Sequence, residues 1–85
     1  MTQDKLLPTI AALLSTLLET EGAPASTLYL GLGMDLDWYQ TVIDIMTKAG
    51  LVTVKGHYVT LTEVGKDKAR QVNAIAYSKV IRAGI

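Results

Sequence analysis

The chain contains no cysteine among its 85 residues, which excludes a disulfide framework, a thiol nucleophile and a thiolate-bound metal. It has one histidine, His57, set in a Lys55-Gly56-His57 run. Nucleophilic catalysis needs a base beside its nucleophile and a third group to orient that base. A lone histidine without a neighbouring carboxylate supplies neither, so no enzymatic activity and no cofactor are expected. Glycine-rich phosphate loops follow a strand, whereas Gly31 and Gly33 fall between two helical patterns. Long apolar runs are missing too. Residues 6–18 are interrupted by Pro8, Thr9, Ser15 and Thr16 and are too few to cross a hydrocarbon layer of roughly 30 Å. Asp4 beside Lys5 makes a poor start for a signal peptide. These absences predict a cytoplasmic protein with no membrane partner. No repeat or low-complexity linker divides the chain, which reads as one domain over residues 1–85.

The sequence is 49% hydrophobic with zero formal net charge, a composition that folds instead of remaining solvated. A domain this small buries a limited apolar surface, and self-association is a common remedy. The charge is divided along the chain. Residues 1–47 carry one basic side chain (Lys5) and six acids, whereas residues 48–85 carry seven basic side chains and two acids (Glu63, Asp67). Such asymmetry attracts a polyanion to one end, pairs the ends of neighbouring protomers, or is satisfied within one fold.

Taken in order, Leu6, Ile10, Leu13, Leu14, Leu17 and Leu18 form a broad apolar stripe, which predicts a first helix from about Lys5 to Thr20 with part of its surface available to a partner. Pro8 places the true start nearer Leu7, because proline inside a helix forfeits a hydrogen bond. Gly22 suits the cap and Pro24 the first position of a short second helix ending near Leu32. After a glycine turn, Asp35 caps a third helix whose apolar residues Tyr39, Val42, Ile43, Met46 and Ala49 share one face. Gly50 stops it. Leu51, Val52 and Val54 then pair through the Lys55-Gly56-His57 loop with Tyr58, Val59 and Leu61 as a small hairpin. Thr62 caps a final helix, about residues 63–83, with Ala69, Val72, Ala76, Val80 and Ala83 along one face.

The run GLGMDLDWYQTVIDIMTKAGLV resembles the helix-turn-helix of winged-helix transcription regulators, with Gly33, Met34, Asp35 and Gly50-Leu51 at the expected places. The later run YVTLTEVGKDKA is similar to the wing's return strand and the opening of the last helix, through Leu61, Thr62, Gly65 and Lys66. The resemblance covers about residues 6–75. It implies an α+β winged helix-turn-helix fold: a three-helix core with the helix-turn-helix at about 24–49, a two-stranded wing at about 51–62 and a long C-terminal helix.

It also implies a duplex-DNA partner, a dimeric transcription regulator, and a third helix that enters the major groove. On this chain the outward positions are Asp37, Trp38, Gln40, Thr41 and Asp44, with Lys48 further along and Lys55 and His57 on the wing. Gln40 and Thr41 suit base edges. Homodimerisation would use Val72, Ile75, Ala76, Val80 and Ile81. The residues themselves keep another reading open, since the third helix has no Arg or Lys in its first three turns and holds Asp35, Asp37 and Asp44. On that reading Leu36, Trp38 and Ile45 form a patch for a protein partner; the other placement for Trp38 is folded against the second or the first helix of its own chain. Asp35 and Asp37 are explained as a cap and a first-turn charge. With Asp44 they are too few ligands for a metal, and none is expected.

Overall fold

The computed structural model describes residues 2–72. They form α1 (Thr2–Thr20), β1 (Ala23–Pro24), α2 (Ala25–Gly31), α3 (Leu36–Lys48), β2 (Val52–Lys55) and β3 (Tyr58–Leu61), followed by α4, helical from residue 63 to residue 72. The remainder of the predicted last helix, residues 73–83, lies outside the described residues.

Two helices end by the same device. Gly33 and Gly50 have φ of 66° and 78°, a region glycine enters without a Cβ penalty. At the end of α3 the Gly50 N–H donates to the Thr47 carbonyl (3.0 Å) and the Leu51 N–H to the Met46 carbonyl (2.9 Å). At the end of α2 the Gly33 N–H donates to the Leu30 carbonyl (3.2 Å) and the Met34 N–H to the Tyr29 carbonyl (2.7 Å). Both are Schellman motifs, which use up the last free carbonyls of a helix and turn the chain sharply. This fixes the angle at which α3 leaves α2 and the point at which β2 begins.

Three local expectations need correction. The first helix starts at Thr2, ahead of Pro8, and runs through the proline; one lost intrahelical bond is tolerated among the many of a 19-residue helix. Pro24 is not the first residue of α2. It is extended at φ −63° and ψ 148° as the residue before the helix, and with Ala23 it makes a third strand. The sheet order is therefore β1-β3-β2, all antiparallel, with Ala23 opposite Val59 and Pro24 opposite Tyr58. An edge strand is where proline's missing donor costs least. Gly22 is not the cap of α1. Glu21 takes the left-handed conformation (φ 60°), and buried Gly22 passes so close to the hairpin that an added Cβ would meet Thr60 and Tyr58 side-chain atoms at 2.9 Å.

The core gathers one face of each element: Leu13, Leu14 and Leu17 of α1, Leu28 of α2, Tyr39, Val42 and Met46 of α3, Val52 and Val59 of the hairpin, and Ala69 of α4. Each fully buried aliphatic side chain contributes on the order of 2 kcal/mol. The α1 stripe is divided, because Leu6, Ile10 and Leu18 pack against this core while Leu7 remains 73% exposed.

Thr62 joins the hairpin to α4. Its hydroxyl donates to the Gly50 carbonyl (2.5 Å) and accepts from the Gly65 N–H (3.0 Å), while its own N–H donates to the Leu51 carbonyl (3.0 Å). One side chain thus caps α4 and ties it to the end of α3. Thr62→Val removes both hydroxyl bonds at constant shape and should cost about 1–2 kcal/mol, lowering the melting temperature by roughly 4–8 °C per kcal/mol. Thr62→Ser, which keeps the hydroxyl, should recover most of the loss. Equal melting of the valine variant and the parent would show that the bridge contributes nothing.

Candidate nucleic-acid interface

Asp35 accepts a hydrogen bond from the Trp38 N–H (3.4 Å), and Asp37 occupies the first turn of α3, where the helix dipole favours negative charge. Both acids therefore have a helix-starting role, as their positions in the sequence predicted. Tyr39, Val42 and Met46 face inward. Gln40, Thr41, Asp44 and Lys48 are exposed.

Across from α3 lies the hairpin. Gln40, Asp44 and Thr47 share a groove of about 340 Å³ with Val54, Gly56 and His57 of the wing and Ala25 at the start of α2. The wing tip is held against the domain, since the Ala25 N–H donates to the His57 carbonyl at 2.6 Å. That tether follows from β1, which brings the start of α2 alongside β3. The groove thus has α3 on one side and, on the other, a wing tip that a backbone hydrogen bond holds to the start of α2. Its floor includes Tyr39, whose ring lies 5.4 Å from that of Tyr29 at a 52° tilt. Burial pushes the Tyr39 hydroxyl above its ordinary pKa, and Tyr29 adds to the effect.

Of the residues singled out in the sequence, Gln40 and His57 both line this groove. Thr41 is exposed, and its hydroxyl donates back to the Asp37 carbonyl at 3.0 Å, leaving its methyl and lone pairs outward. Lys48 pairs with Asp44 at 3.0 Å one turn away. Lys55 is exposed, with no ion pair among the described residues. Trp38 is placed differently from its predicted outward position. It is half-buried against the core, and its indole N–H donates to the Thr9 hydroxyl of α1 at 3.2 Å. The signal was available: Trp38 lies four residues before Val42 and eight before Met46, on the buried ridge of the helix. Leu36 and Ile45 are exposed by 45% and 38%, but Trp38 is withdrawn from any patch they form.

Among the described residues the ion pairs of α4 are local and do not join the acidic half of the chain to the basic half. Lys66 pairs with Glu63 (3.8 Å) and Arg70 with Asp67 (3.0 Å), each within one turn of α4. Val72 is half-buried against its own core; Ile75, Ala76, Val80 and Ile81 lie outside the described residues. Among the described residues no group of three His, Cys, Asp or Glu could hold a metal, and no helix is long and apolar enough to cross a membrane.

A short helix, a glycine turn, a second helix, a hairpin packed beside it and a closing helix define a winged helix-turn-helix fold. No protein-family model matches the chain, and no curated protein sequence does. Among solved structures, the transcriptional regulator homologue protein from Pyrococcus horikoshii OT3 is similar, with a TM-score of 0.74 over 92% of this chain and 85% of that one. The two are 19% identical, so the likeness is one of fold.

Proposed function

We propose that this chain is a small DNA-binding winged-helix protein, a transcription regulator acting as a dimer. The observation that carries the reading is the shared groove of α3 and the wing, lined by Gln40 and His57 with Thr41 exposed next to Gln40, on the face where this fold offers its recognition helix. Gln40 supplies the donor and acceptor pair that matches adenine, and the Thr41 methyl suits thymine. Lys48 and Lys55 flank the groove as phosphate contacts. The similarity to a transcriptional regulator homologue supports the same class. Dimerisation rests on the apolar spacing of Val72, Ile75, Ala76, Val80 and Ile81, and would set two third helices about 34 Å apart, one turn of duplex.

Anisotropy of a labelled mixed-sequence duplex tests this. If Lys48 and Lys55 of two protomers neutralise four phosphates, affinity should fall about 100-fold between 50 and 200 mM salt. Lys55→Gln should reduce the logarithmic salt slope by about two, one for each protomer. Gln40→Ala should leave that slope unchanged and weaken a selected site roughly tenfold or more. An absence of binding at 50 mM salt would remove the reading.

One set of observations favours a second reading. Asp44 neutralises the only basic side chain of α3, Asp37 adds a further negative charge, and Leu36 and Ile45 stay exposed. These features suit a protein partner with a basic rim around apolar residues. On this reading Leu36→Ser with Ile45→Ser abolishes partner capture, whereas on the DNA reading the pair leaves the salt-dependent affinity within a few-fold of the parent.

A further inference from the structure

A second cavity, of about 320 Å³, opens where the end of α1, the end of β3 and the first turns of α4 meet. It shares no residue with the groove beside α3. Three leucines make its apolar walls: Leu17, fully buried, and Leu18 and Leu61, both half-buried and packed against the core. Lys66 and Arg70 enter the same cavity. They lie four residues apart on one helix, so their heads project from adjacent turns of a single face. Glu21 is the one acid in the lining, and Thr60 adds a hydroxyl.

Neither cation is committed to its neighbour. Lys66 stands 3.8 Å from Glu63 with its side chain 44% exposed, and Arg70 reaches Asp67 through one terminal nitrogen at 3.0 Å. Exposed pairs of this kind contribute little and exchange readily. Arg70 also keeps the remaining donors of a planar fork suited to a carboxylate.

We infer that this cavity binds a small apolar monocarboxylic acid, its body against Leu17, Leu18 and Leu61 and its carboxylate between Lys66 and Arg70. The lining has two positive side chains and one negative, which complements a single negative charge and disfavours a phosphate-like dianion. The volume lies at the low end for ligand pockets, which limits the body to about one ring or a short branched chain. Such a ligand bridges the last strand of the wing and the opening of α4. The site does not depend on the DNA reading and is tested without DNA.

The test is a titration of the uniformly labelled full chain, followed by amide chemical shifts, with benzoate, phenylacetate, benzamide and inorganic phosphate as probes. The two acids should give saturable shifts centred on Leu18, Thr60, Leu61 and Lys66, while benzamide and phosphate give none there. Lys66→Gln should weaken benzoate about tenfold, as loss of a charge-assisted contact does, with the melting temperature little changed. Glu21→Gln, which removes the opposing charge, should tighten it. Equal shifts from benzoate and benzamide would overturn the proposal by showing an apolar cleft without charge recognition. Matching shifts from phosphate, or no shift from any probe at millimolar concentration, would overturn it as well.

Discussion

Gly65→Ala should destabilise the domain by about 3 kcal/mol or more, toward the upper end of overpacking costs, a large share of the roughly 5–15 kcal/mol that holds a typical domain together. The sign is not obvious in advance. Gly65 sits in the first turn of α4 without a positive φ, and alanine in a helix is normally favoured over glycine by about 1 kcal/mol. Contact reverses the preference. A Cβ built at Gly65 would overlap the Leu51 carbonyl oxygen and lie 2.9 Å from the Leu51 carbonyl carbon. Both are backbone atoms, so no rotamer change relieves the overlap, and α4 must move away from the start of the hairpin. The move would also stretch the Thr62 bonds to Gly50 and Leu51, because Thr62 begins the same helix. Gly31→Ala supplies the control. Gly31 is helical, has no positive φ and has nothing within 4 Å of a built Cβ, so the change should stabilise by about 0.5–1 kcal/mol. Denaturant melts of the two variants should move in opposite directions. If both stabilise, the close approach of α4 to Leu51 is wrong.

That close approach also shows what the sequence could and could not convey. The ends of α2 and α3, the Asp35 cap and the hairpin turn rest on contacts within five residues of the chain, and their residue types announce them: glycine where φ is positive, aspartate where free N–H groups need an acceptor. Strand β1 had no such signal. Two residues carry no periodicity, and Ala23-Pro24 becomes a strand only because β3 lies beside it, a pairing across more than thirty residues. Gly22 and Gly65 were legible as glycines, but the atoms that require them, in Tyr58, Thr60 and Leu51, come from elsewhere in the fold. For Trp38 the outward position and a fold back onto the first or second helix both stay open in the sequence; counting back from Val42 places it on the buried ridge, and Thr9 of α1 supplies its polar partner. The candidate groove was half legible. Gln40 could be placed outward from helical spacing alone, whereas the tether from Ala25 that holds His57 of the wing against the start of α2 exists only once β1 has formed.

Ala25 at the start of α2 lines that groove and holds the wing tip, and α2 has a weak point. Seven residues are too few for a helix to persist unaided, since helices shorter than about 12–15 residues are marginal in water. Leu28 is its one buried side chain. The other restraints are the Ala25 bond to His57, the Schellman bonds of Leu30 and Tyr29, and the tilted contact of Tyr29 with Tyr39, the last worth about 0.5–1.5 kcal/mol. Leu28→Ala should therefore cost about 2–5 kcal/mol, and the loss should begin locally. Hydrogen exchange would report this directly. The Leu32 and Met34 amides, bonded to the Leu28 and Tyr29 carbonyls, should lose protection well beyond that of the Val59 amide in the hairpin. Leu28→Met, close in volume, should stay within about 1.5 kcal/mol of the parent and leave the exchange pattern intact. Uniform loss of protection in the alanine variant would mean that α2 unfolds only with the whole domain. Selective loss would mean that the angle between α2 and α3 is set by one leucine, and that a change remote from Gln40 and Thr41 can alter how both are presented.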